Sequence, residues 1–206
     1  MVQIDPDPNA GAADAAPRKA QDRRAEILRR AAAVFREKGF HGAGMREIAA
    51  GLGMAPGALY YYFESKEDLL YSCQMLSLRR LLTGAREIVG SDDPADLKLG
   101  RLVRAHLAHI LEHLGGGLAH VEFQALPGEQ LASVVAHRDE YEAILRGVVV
   151  AGIESGVFVD TDVKLVTLTL LGALNWTVVW WKPEGESVDV LADRMTETIL
   201  GGLKKR

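Results

Sequence analysis

Tyr60, Tyr61 and Tyr62 stand in a row directly behind Gly57, Ala58 and Leu59. Three phenols cannot all be buried on one short helix, so some of their hydroxyls are available to phosphate oxygens and their rings to thymine methyl groups. A second constellation is His109-Ile-Leu-Glu112-His113, with His106 on the same helical face. It matches the His-x-x-Glu-His spacing in which histidines one helical turn apart hold zinc and the glutamate activates water, with Glu122 as a conceivable third ligand. Five residues in a helix rich in His and Leu make that match by chance. The weightier expectation is that these histidines are satisfied core groups or polar anchors of a ligand pocket, and no cofactor, metal or catalytic residue is expected. Asn175-Trp176-Thr177 matches a glycosylation sequon, but it falls in an apolar helical stretch where no acceptor site is expected.

The elements that must hold the tyrosines are two short helices around a turn. Ile48, Ala49 and Leu52 share one face of the first, and Gly53 can take the left-handed conformation that ends it. Pro56 suits a first helical position, where its missing N–H costs nothing, so the second helix spans Pro56–Tyr62. Leu59 and Phe63, four residues apart, anchor it inward. This is a unit for reading DNA.

Charge is distributed to match. Residues 18–46 hold nine Lys and Arg against three Asp and Glu, an excess of six, in a chain of 206 residues whose net charge is −4; the remainder therefore carries −10. A basic end on an acidic body turns one face toward a polyanion and repels the other. The 48% hydrophobic fraction is enough for a sizeable core. Cys73 is the lone cysteine, which excludes a disulfide framework and fits a buried thiol in a reducing cytoplasm. Residues 1–17, rich in Ala, Pro, Asp and Gly, lack the basic start and apolar run of a secretory signal and read as a disordered tail.

The rest reads as helix after helix, with no alternating strand pattern and no internal repeat. Residues 21–38 form a basic amphipathic helix with Ile27, Leu28, Ala31, Val34 and Phe35 inward, stopping at Gly39. Ser65, followed three positions on by Asp68, has the form of a capping box and opens a long helix. Asp93-Pro94 opens the next, which ends at Gly115-Gly116-Gly117. Further helices are expected near 118–126, 130–155, 162–181 and 187–203. Residues 165–181 contain no charge. They are slightly short of the roughly 20 residues a bilayer span needs, and four of them are Thr or Asn, so a helix buried on most sides is the better account.

These motifs together resemble the TetR family of transcriptional regulators. The resemblance rests on Phe35-Arg36-Glu37-Lys38-Gly39-Phe40, Arg46-Glu47-Ile48-Ala49, Gly57 to Phe63 and Ser65-Lys66-Glu67-Asp68-Leu69, about 50 residues of the head. It implies an all-α fold: a disordered tail at 1–17, a three-helix helix-turn-helix domain at 18–64, and a helical ligand-binding and dimerisation domain at 65–206, about nine helices in all. It also implies a cytoplasmic homodimeric repressor, with no membrane partner, released from a palindromic operator by a small lipophilic inducer. Arg46 would reach a guanine edge or a phosphate, Tyr60 and Tyr62 would donate to phosphates, Lys66 would clamp the backbone beside them, and Pro56, Gly57, Ala58 and Tyr61 would face bases. Gly44, Ala55 and Ala58 depart from the hydroxyl or small polar residues of many relatives, which removes expected hydrogen bonds. The dimer surface would include Leu168, Leu171, Leu174, Val178, Val190, Leu191, Met195 and Ile199. The pocket would be walled by Met75, Leu78, His106, Ile110, Phe123, Trp176 and Trp180. The run from Asn175 to Gly185 resembles a pattern of the branch that includes fatty-acid and sterol-catabolism repressors, whose members sense acyl-CoA thioesters. The alternatives are a repressor of an efflux gene sensing a drug-like compound and, remotely, a zinc hydrolase built on His109, Glu112 and His113.

Overall fold

The computed structural model describes residues 12–112, 123–182 and 184–205, with side chains from residue 23 except Arg36. In chain order the described elements are α1 (Ala12–Gly42), α2 (Met45–Gly51), α3 (Pro56–Tyr62), α4 (Lys66–Val89), α5 (Ala95–Leu111), a 3-10 turn (Phe123–Ala125), α6 (Gly128–Glu154), α7 (Val163–Trp180) and α8 (Val188–Leu203). No strand occurs among the described residues. One isolated antiparallel bridge joins Phe158 to Lys204.

The helices begin where their caps put them. Ser65 Oγ accepts from the Asp68 amide at 3.1 Å, Asp162 caps α7 through Leu165, and Ser187 caps α8 through Val190. Each satisfies one of the amides that a helix start leaves without an internal partner. By contrast, α2 and α3 start at Gly44 and Ala55 with no side-chain cap, so two of the sequence departures fall on the N-caps of the reading unit. The first helix differs from expectation. It starts at Ala12 rather than near residue 21, so residues 12–17 are helical rather than a disordered tail, while residues 1–11 lie outside the described chain. Its expected end is visible as a break at Gly39, where φ is 70°.

Two apolar cores share α4. The head core gathers Ile27, Ala31 and Phe35 of α1, Ile48 and Ala49 of α2, Leu59 of α3 and Phe63, and it takes in Leu69, Leu70, Cys73 and Met75 from the first half of α4. The body core starts at Leu81 and Leu82 in the second half of that helix and continues through α5, α6, α7 and α8. At 24 residues and 1.5 Å per residue, α4 is about 36 Å long and belongs to both bodies. Burial pushes the Cys73 thiol far above its ordinary pKa, which leaves it an inert core group.

The uncharged stretch is covered on one side within a single chain. α7 is long and apolar enough to cross a membrane by length and composition, yet it packs against α5 and α6 in the helical body. Within one chain it is enclosed on one side only. Thr167, Leu170, Leu174 and Thr177 are buried, whereas Leu165, Leu168, Trp176, Val179 and Trp180 stand exposed along the opposite side.

Candidate nucleic-acid interface and ligand cavity

In the head, Leu59 and Phe63 are fully buried and fix the roll of α3. That roll turns Pro56, Gly57, Ala58, Tyr60 and Tyr61 outward; Tyr60 is 51% and Tyr61 85% exposed. Tyr62 is half-buried and meets Tyr61 edge-on at 5.3 Å. Arg24 locks this corner from α1: its guanidinium lies 4.5 Å over the Phe63 ring and donates to the Tyr62 carbonyl and to Ser72 Oγ. Gly53, with φ 63°, makes the turn between α2 and α3. Arg46 is exposed on α2, and the neighbouring Glu47 is tied to Lys38 of α1, an ion pair that lowers the carboxyl pKa and raises the ammonium pKa.

Lys66 makes its contacts within the head. Its ammonium donates to the carbonyls of Phe40, at 2.9 Å, and Ala43, at 3.2 Å, and lies 4.3 Å from the centre of the Phe40 ring. The last carbonyls of a helix lack partners within it, and a cation near them is favourable. Lys66 thereby fastens the start of α4 to the end of α1.

In the body, a cavity of about 310 Å³ opens between α4, α5, α6 and α7. Leu78 and Leu81 of α4 and Leu168 and Leu171 of α7 give it apolar walls, and His106, Tyr141 and Asn175 add polar atoms. His106 Nδ1 lies 3.1 Å from the Tyr141 hydroxyl, and its Nε2 lies 2.9 Å from Asn175 Oδ1. Arg138 reaches the same cavity from over the ring of Phe123. A wider apolar groove of about 540 Å³ lies at the far end of the body against Val89, Ala95 and Ile144. The smaller cavity is the stronger ligand site, because buried polar groups converge on it and it touches the middle of α4.

Of the residues assigned to the pocket from sequence, Leu78 and His106 line this cavity. Met75 is buried in the head core and borders a separate groove between α1 and α4. Ile110 packs in the body core, Phe123 underlies Arg138, and Trp176 and Trp180 are exposed on α7, away from the cavity wall. Leu81, Arg138, Tyr141, Leu171 and Asn175 went unassigned to it. On the dimer list, Leu174 and Leu191 belong to the interior, at 0% and 4% exposure. Met195, Ile199, Leu171 and Val178 are half-buried against the body core, and Leu168 and Val190 are exposed.

Two of the residues named for a zinc site, His109 and Glu112, are described. His109 Nε2 sits 2.7 Å from Ser77 Oγ, and Glu112 is exposed at the end of α5. His113 and Glu122 lie outside the described residues. No group of three potential metal ligands occurs among those described.

An exposed aromatic helix in a basic three-helix head, on a helical body with a cavity between its helices, defines a one-component helix-turn-helix regulator. Residues 27–73 match the model of bacterial regulatory proteins of the tetR family, and residues 92–203 match the tetracyclin repressor-like C-terminal domain. The chain belongs to the TetR family of transcriptional regulators. It is 30% identical to the HTH-type transcriptional repressor KstR2 of Rhodococcus jostii over 88% of this chain and 91% of that one. The fatty acid metabolism regulator protein of Bacillus subtilis is 25% identical over 88% of this chain and 95% of its own. The solved ketosteroid transcriptional regulator KstR2 of Mycobacterium tuberculosis superposes with a TM-score of 0.82 at 29% identity, covering 89% of this chain and 96% of that one.

Proposed function

We propose that the protein is a cytoplasmic homodimeric repressor of lipid-catabolic genes, released from a palindromic operator by an acyl-CoA thioester. The carrying observation is that one continuous helix joins the head to the cavity. α4 is fastened to the head through Lys66 and walls the cavity with Leu78 and Leu81. Lys66 and Leu78 are twelve residues apart, about 18 Å along the helix axis. A ligand that displaces α4 at the cavity therefore moves the joint under α2 and α3.

The dimer follows from what DNA reading requires. One head binds weakly, whereas two heads on a two-fold axis read half-sites about 34 to 36 Å apart. The exposed side of α7, with Leu165, Leu168, Trp176, Val179 and Trp180, is an apolar surface suited to a second copy of the chain. Arg46, Tyr60 and Tyr61 would then meet successive major grooves. The ligand class draws support from the run from Asn175 to Gly185, from the fatty-acid and ketosteroid regulators to which the chain is similar, and from the cavity. Its 310 Å³ lies at the low end of ligand-pocket volumes, sized for an acyl body with the nucleotide outside.

The test is a titration of purified protein against its own upstream intergenic DNA at fixed salt, with and without a panel of acyl-CoA thioesters. Release by one thioester is the expected result. Specific binding that no thioester alters would keep the repressor and discard the thioester in favour of another lipophilic or drug-like inducer.

A further inference from the structure

The hydrogen-bond chain at the cavity has a direction, and the direction decides what the cavity offers a ligand. Tyr141 is buried, and burial pushes its hydroxyl pKa up, so the group keeps its proton. His106 Nδ1 is the one hydrogen-bonding atom the hydroxyl meets among the described residues. A buried O–H is costly to leave undonated, so Tyr141 donates and Nδ1 is the bare, accepting nitrogen. Nε2 is then the ring nitrogen that carries a proton toward Asn175. Nε2 donates to Asn175 Oδ1, which turns the carboxamide so that its oxygen is spent on the histidine. Its two Nδ2 protons meet no acceptor among the described residues, and Nδ2 is not among the atoms sealed in protein without a partner. Asn175 lines the cavity, and this NH2 group is what it presents there.

We propose that Asn175, oriented by the relay Tyr141 to His106 to Asn175, recognises the inducer by donating a hydrogen bond to a carbonyl oxygen on its apolar body. The inference rests on reading this cavity as the inducer site and adds the chemical group it selects. The ligand must bring an acceptor, because the open positions on Asn175 are donors. A neutral carbonyl suits the site better than a carboxylate, since Asp139 and Glu142 also line the cavity and offset Arg138. A thioester carbonyl and a ketone carbonyl share this chemistry. Tyr141 and His106 are positioning residues: they fix the amide without touching the ligand in this scheme.

The experiment uses the full-length protein and two pairs of probes, each pair matched except for the carbonyl. The first is dodecanoyl-CoA against its S-dodecyl thioether. The second is 2-octanone against 2-methyl-1-octene, in which a methylene group replaces the oxygen. Affinities are read by calorimetry or by competition. Wild-type protein should favour the carbonyl member by about tenfold, the size of one net hydrogen bond. Asn175→Asp and Asn175→Leu should abolish the preference, with the helical circular dichroism signal retained in at least one of them. Tyr141→Phe should shrink the preference within each pair, whereas a general loosening of the fold would weaken both members of a pair alike and leave their ratio unchanged. Discrimination within the ketone pair, with neither coenzyme A probe bound, would uphold Asn175 and remove the acyl-CoA reading. Equal affinity within a bound pair, a preference that survives both Asn175 substitutions, or no binding of any probe would overturn the inference.

Discussion

At the scale of single residues, Lys66 holds the head together from a motif position. Sequence places it beside the reading helix, where a cation invites assignment to a phosphate. The structure gives two of its three protons to the Phe40 and Ala43 carbonyls and sets it over the Phe40 ring. The two roles predict different salt behaviour. A phosphate contact releases counterions, so its loss lowers the slope of log affinity against log salt by roughly 0.9. Replacing Lys66 by Ala should leave that slope unchanged, weaken operator binding, and lower unfolding stability by about 1 to 3 kcal/mol through two carbonyls left without their charged donor. Denaturant titration and operator titrations at several salt concentrations measure both. A slope reduced by about one, with unchanged stability, would return Lys66 to the phosphates.

At the scale of elements, α8 is held on the body by charge as well as by apolar packing. Arg104 of α5 bridges Asp189 and Asp193, and the chain end is pinned where Val159 donates to the Leu203 carbonyl and Lys204 pairs with Asp96 at 2.6 Å. The hydrogen bond from Lys204 is the main cause holding the Asp96 carboxyl below its ordinary pKa. A depressed carboxyl pKa contributes stability above the unfolded value, near 3.9, and loses it as pH falls through the folded value. Asp96→Asn should therefore cost on the order of 0.5 kcal/mol at neutral pH, less at high salt, and nothing once the pH is well below 4. Thermal unfolding of both proteins between pH 3 and 7 reads the difference; a cost that persists undiminished at pH 3 would place the effect in packing instead. The same scale explains what sequence could and could not reveal. Ser65 announced its helix because a cap is a local bond between neighbours, and Asp162 and Ser187 cap theirs in the same local way. The faces of α7 were not legible, since a helix apolar nearly all round has no periodic contrast to mark its inner side. That is why Leu174 was expected outside and Trp176 inside, the reverse of what the packing shows. Tyr141 and Asn175 escaped the pocket assignment because their partnership with His106 spans 35 and 69 residues of chain.

At the scale of the whole molecule, head and cavity need each other only if two copies hold the heads in register, and α7 is where that requirement can be broken. Trp176 is 64% exposed in the single chain and lies on the same helix as Asn175 and Leu171, which face the cavity. Trp176→Glu sets a charge in the middle of the apolar stripe without removing any group from the body core. In a dimer closed on this face, the charge would lose its water with no cation supplied in exchange, a penalty of several kcal/mol per ion. Sedimentation velocity should then find monomer at micromolar concentration where the parent is dimer, with the helical circular dichroism signal unchanged. Operator affinity should fall toward that of a single half-site, since the second head no longer gains from the first having bound. Ligand binding provides the control: a probe that fills the cavity of one chain should keep its affinity in the monomer. Its loss on monomerisation would mean that the second copy helps form the site, and an unaltered dimer would move the contact to another face. Where the dimer persists, inducer and operator must oppose each other equally. Couplings of this kind are typically 1 to 3 kcal/mol, roughly 5- to 150-fold in affinity, so saturating operator should weaken inducer binding by the same factor by which inducer weakens operator binding. In the monomeric variant the part of that factor that depends on the spacing between the heads should vanish, leaving only what α4 passes to its own head.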